Sequence, residues 1–183
     1  MQALESLASL TVDPTLDPTI VRLGGIPPFV SVVRHSRFPE CRESAAEALV
    51  NIAASERNHS RIVDVGGVHA LVELAESGQQ FAKNRVAAAL LNMVIPKTTH
   101  GAIVAGAGVP LLVALVNEVQ ENEALRQIWA STKGDAAGAL MHLAANPHAQ
   151  AVVREAGGIE AMVSLLENRE HMERATGKRV NGE

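Results

Sequence analysis

Aromatic side chains are almost missing from this 183-residue chain, which has three Phe, one Trp and no Tyr. The core must therefore be built from Leu, Val, Ile and Ala, and stacking platforms for single-stranded nucleic acid are excluded. Cysteine is nearly absent too. A lone Cys41 permits neither an internal disulfide framework nor a Cys-based zinc site. There is no excess of positive charge, because 16 basic residues face 20 acidic ones for a net −4, which argues against binding to phosphate backbones. No unbroken apolar run is long enough to span a membrane. The best stretch, from Thr98 to Asn117, is interrupted by three glycines and Pro110. The start, Met1-Gln-Ala-Leu-Glu, has no basic region ahead of an apolar run, so it does not read as a secretory signal. These absences suggest a reducing compartment, cytosol or nucleus. With 47% apolar and 20% charged residues, the composition still supports a packed core of one domain or a short array of units.

What is present is a repeat. Four segments align, GGIPPFVSVV from Gly24, GGVHALVELA from Gly66, AGVPLLVALV from Ala107 and GGIEAMVSLL from Gly157. The shared glycines Gly25, Gly67, Gly108 and Gly158 are 42, 41 and 50 residues apart. Five residues before them stand Ile20, Ile62, Ile103 and Val153. A second block follows the first three, EALVNIA from Glu47, AALLNMV from Ala88 and GALMHLA from Gly138. Apolar residues recur at offsets of three, four and seven, as in Ile26, Phe29, Val30 and Val33, which places them on one helical face. Each unit thus reads as a short helix, a glycine turn, a second helix and a longer third helix. The glycines allow positive φ at a helix end and close approach of helices.

A period near 42 with three helices falls in the HEAT/armadillo class. The glycine pair, the I/V-x-x-L-V-x-L run and the A-L-x-N block resemble the armadillo repeat in particular, over about residues 4 to 167. The resemblance implies an all-α, right-handed α-solenoid. Its divisions would be a partial repeat at 1–23, units at 24–65, 66–106 and 107–156, a partial unit at 157–167 and a polar tail at 168–183. The long third spacing calls for an insert near 118–133. Leu125, Ile128 and Trp129 have helical spacing, so the insert is expected to lengthen the second helix and tuck Trp129 against the solenoid. The sharper alternative makes Trp129 an exposed partner anchor. Solenoids normally carry polar capping units, and the ragged ends here suggest a piece of a longer array that self-associates through open ends.

Catalytic chemistry finds little support. Of seven histidines none forms a close i, i+4 pair or an H-E-x-x-H motif, so no metal site is expected. Phosphate loops, a G-x-S-x-G elbow and a dinucleotide fingerprint are absent, and no cofactor is expected. Cys41 and His35 could be drawn as a pair, yet nothing orients the histidine. The chain is read as non-enzymatic.

The residues to single out are the polar ones in A-L-x-N: Asn51, Asn92 and His142, with Ser9 in the partial unit. Each alone is a surface or capping residue of a helix. In phase, they form a ladder along one surface. An amide side chain can both donate to and accept from an extended peptide backbone. By resemblance to β-catenin- and importin-α-like armadillo proteins, Asn51 and Asn92 would hold a partner along a concave groove; His142 departs from the pattern. Glu47, Arg85 and Asp135 are further groove positions, and small Ala88 and Gly138 would leave the groove open. Tryptophans that recur before the asparagines in importin-like repeats are missing, so recognition of basic localisation peptides is not supported. The expected partner is a protein or peptide. Plant U-box ubiquitin ligases carry similar units, which makes a regulatory or substrate-recognition fragment of a larger protein the alternative.

Overall fold

The structure, a computed structural model, describes residues 2–77, 80–119 and 122–176. Among these residues there are twelve α-helices and no strand. They run α1 (Gln2–Leu10), α2 (Asp17–Arg22), α3 (Ile26–His35), α4 (Pro39–Ala53), α5 (His59–Asp64), α6 (Gly67–Glu76), α7 (Gln80–Val94), α8 (His100–Ala105), α9 (Gly108–Asn117), α10 (Arg126–Ala144), α11 (Pro147–Glu155) and α12 (Gly158–Thr176). The order short, middle, long recurs. Short helices α2, α5, α8 and α11 each lead through a sharp turn into α3, α6, α9 and α12. The long helices α4, α7 and α10 close the units, and α1 packs on α4 as they pack on one another.

The turn explains the glycine pair. Gly24, Gly66 and Gly157 have φ of 80°, 73° and 79°, the left-handed region that glycine enters without steric cost. Gly24 N–H donates to Val21 and Gly25 N–H to Ile20, which satisfies two carbonyls at the end of α2. The second glycine serves close approach. A Cβ on Gly67 would lie 2.5 Å from Ile62 Cγ2, and the same holds for Gly25 on Ile20, Gly108 on Ile103 and Gly158 on Val153.

Side chains then fill a continuous core. Ile26, Phe29, Val30 and Val33 of α3 are buried, as are their counterparts Val68, Leu71, Val72 and Ala75 in α6. Leu49, Leu90 and Leu140, one per long helix, are fully buried. Each contributes about 1.5–3 kcal/mol by leaving water.

One expectation needs correction, and one choice is decided. The nine-residue break in period does not lengthen the second helix, since α9 has 10 residues like α6. The extra length goes into the connection after Asn117, of which 120–121 lie outside the described residues, and into α10, with 19 residues against 15 in α7. Trp129 belongs to the first turns of α10 and is 5% exposed, so it is a core residue and not a surface anchor. Its ring carries Lys133 Nζ at 5.7 Å from the centroid. In the polar segment after 167, the backbone stays helical to Thr176; 177–183 lie outside the described residues. Among the described residues no single helix is long and apolar enough to cross a membrane; segments Lys97–Ala105 and Gly108–Asn117 meet at 83°.

Candidate binding surface

Because α4, α7 and α10 pack in succession, residues at the same phase of each share one surface. Asn51, Asn92 and His142 occupy this position, and all three are half-buried. Their circumstances differ. Asn51 Nδ2 donates to Thr11 Oγ1 at 3.1 Å, and that hydroxyl in turn donates to Ala8 O. Asn51 is thereby tied to the end of α1 and keeps its carbonyl oxygen for other use. Asn92 and His142 make no side-chain hydrogen bond among the described residues. Ser9 is exposed, and its hydroxyl is turned back to Ser6 O at 2.8 Å.

Around this row the charged positions are brought together in part. Arg85 Nη2 donates to Glu47 Oε1 at 2.8 Å and bridges α7 to α4. Asp135 on α10 joins no ion pair among the described residues, and burial pushes its carboxyl above the usual carboxylate range. Burial lowers the Lys133 ammonium, opposed by Glu118, which itself pairs with Lys83 at 2.7 Å. Gly138 is not an opening in the surface. A Cβ there would come within 3.1 Å of Leu91 Cδ1, so its small size serves helix packing.

Between α4 and α7 lies a pocket of about 200 Å³ lined by Glu40, Glu43, Ser44, Glu47, Phe81 and Arg85. Phe81 is 55% exposed. The sequence reading missed Glu40, Glu43 and Phe81 because they stand in the first turns of the long helices, outside the repeated block. A large apolar residue among polar ones at the start of α7 was the signal that could have found it.

Two histidines that looked like stray metal ligands have structural work. His59 Nε2 donates to Ala53 O and His100 Nε2 to Val94 O, both at 2.7 Å. Asn58 Nδ2 donates to Ile52 O at 2.9 Å, and the Thr99 hydroxyl donates to Met93 O. These four side chains cap the last carbonyls of α4 and α7. In the next unit Gln150, in phase with the histidines, donates to Ala144 O at 2.9 Å. His100 Nδ1 accepts from Asn146 Nδ2 at 2.8 Å, while Asn146 Oδ1 caps α11 at His148 N–H. A carbonyl can only accept, so His100 is the neutral Nε2–H tautomer. Pro96 stands in phase with Asn146 and has no donor to give, which leaves His59 Nδ1 buried without a partner.

The fold defined here is an α-solenoid of three-helix repeats. A family model described as Armadillo/beta-catenin-like repeat matches residues 17–54. An engineered protein of known crystal structure is 32% identical, with 90% of this chain and 64% of that chain covered at a TM-score of 0.77. A designed armadillo repeat protein is 21% identical over 90% of this chain and 67% of that one, with a TM-score of 0.78. The armadillo repeats only protein from Plasmodium falciparum is 19% identical over 90% and 71%, with a TM-score of 0.73. No curated protein sequence matches the chain. The chain thus carries an armadillo repeat at residues 17–54 and has the fold of an armadillo-repeat solenoid. It spans less than two thirds of the length of the engineered protein it resembles.

Proposed function

We propose that the chain is a non-catalytic binding module that holds an extended segment of another protein along the face shared by α4, α7 and α10. The observation that carries this reading is the in-phase row Asn51, Asn92 and His142. Half-exposed polar groups at one position of three adjacent helices can meet the backbone of a strand laid across them. Asn92, with no side-chain hydrogen bond among the described residues, has its whole amide to offer. The pocket between the first halves of α4 and α7, with Glu40, Glu43 and Phe81, suits a basic side chain of the partner. A designed armadillo repeat protein of the same fold has been solved with the peptide (KR)4, which supports peptide binding as a use of such a surface. A reducing compartment, cytosol or nucleus, fits the single half-buried Cys41.

Selection of peptides from a random library against the chain, followed by fluorescence anisotropy, tests the proposal. Asn92→Ala is the cleaner probe, because it breaks no internal bond. Combined with Asn51→Ala, it should weaken the selected peptides about tenfold, the worth of one or two hydrogen bonds. Circular dichroism should be unchanged. Equal affinity of the double variant and the wild type would sink the groove reading.

A further inference from the structure

The last helix presents an unfilled repeat interface. Ile159, Val163 and Leu166 of α12 are 50%, 47% and 63% exposed. Their in-phase counterparts in α3, α6 and α9 are all apolar, and none is more than 7% exposed. In those helices the following unit covers them, as α6 covers α3 and α9 covers α6. The same three positions are therefore the forward half of every junction in the solenoid.

The opposite end presents the backward half. Leu23, at the end of α2, is 76% exposed. Its counterparts Val65, Gly106 and Ala156 sit against the preceding unit. A Cβ on Gly106 would lie 2.8 Å from Val68 Cγ1, and Val65 shares a cleft with Ile26. Pro28 is likewise exposed where Ala70, Leu111 and Ala161 are buried.

We propose that these two faces bind each other in separate copies, the C-terminal face of one chain seating the N-terminal face of a second, head to tail. The join continues a junction already made three times within the chain, with Ile159 meeting Leu23 as Val68 meets Gly106. A second copy is the favoured occupant because it supplies the complementary half in the register the solenoid uses. Such a contact is heterologous, and since the units advance along an axis it does not close. It produces open rows of copies whose length grows with concentration.

Sedimentation velocity of the 183-residue chain over a hundredfold concentration range tests this. The weight-average mass should climb with concentration. Val163→Arg and Leu23→Arg, each on an exposed residue, should each hold the chain at monomer mass with unchanged helicity. Mixed one to one, the two variants should form a dimer, because each retains the half that the other lacks. Monomer at every concentration would overturn the proposal, and would mean that another segment or partner covers the faces. Assembly that survives Leu23→Arg but not Val163→Arg would also overturn it, as a face-to-face dimer of C-terminal ends.

Discussion

Gly66 and Gly67 are adjacent in the chain and answer to different constraints. Gly66 supplies the left-handed turn, and Gly67 removes the Cβ that would strike Ile62. Gly67→Ala should cost about 1–3 kcal/mol, the range for overpacking, as read from urea denaturation. Ala107 occupies the turn position of the third copy at φ 59° and carries the steric cost that glycine avoids. Ala107→Gly is expected to stabilise by up to about 1 kcal/mol, since relief of the left-handed strain outweighs the extra freedom of the unfolded chain. A lower melting temperature for Ala107→Gly would show that the turn carries no such strain. These residue-level roles were legible in the sequence because the second glycine, and a β-branched residue five positions upstream, recur in phase in all four copies, and the first glycine in three. The partner of Asn51 was not, because Thr11 lies outside the recurring blocks and only folding brings the two together.

At the scale of the element, the ends of the long helices carry the most specific chemistry. His100 satisfies Val94 O and takes a bond from Asn146, so His100→Ala leaves two buried polar groups without partners. The expected loss is about 1–3 kcal/mol. His100→Gln should retain most of the stability, because Gln150 does the same work on Ala144. Equal losses for the two variants in chemical denaturation would contradict the capping role. The 41-residue spacing of His59 and His100, equal to the repeat period, was the signal in the sequence that pointed to a structural role. The insert was harder to place. Leu125, Ile128 and Trp129 have helical period, but period alone does not say which of two neighbouring helices owns them. The helix that runs from Arg126 to Ala144 assigns Ile128 and Trp129 to α10.

At the scale of the whole molecule, the main helix contacts among the described residues lie within a unit or between neighbouring units, so stability is a sum of unit and junction terms. Central helices have neighbours on both sides, and terminal ones on one side. Hydrogen exchange on the Val163→Arg variant, which keeps the ends apart, should find the slowest amides in α6, α7 and α9. Those of α1 and α2 should be the fastest, with α12 intermediate or fast. Uniform protection from end to end would mean that the chain opens as a single unit. The solenoid itself was readable from four in-phase blocks. The exposure of its end faces was not, because it depends on which neighbour each face has.

The caps also fix where such a chain can be cut and rejoined. Donors for the last turn of α4 and α7 come from the start of the following unit, so a break between a long helix and the next short one parts donors from acceptors. The caps of the long helices do not cross the connection between second and third helices, where Arg42 of α4 reaches back to Val33 O of α3, and after Asn117 that connection has already taken up extra residues. Crossovers placed there, after Ser77 or after Asn117, would shuffle units with every capped junction intact.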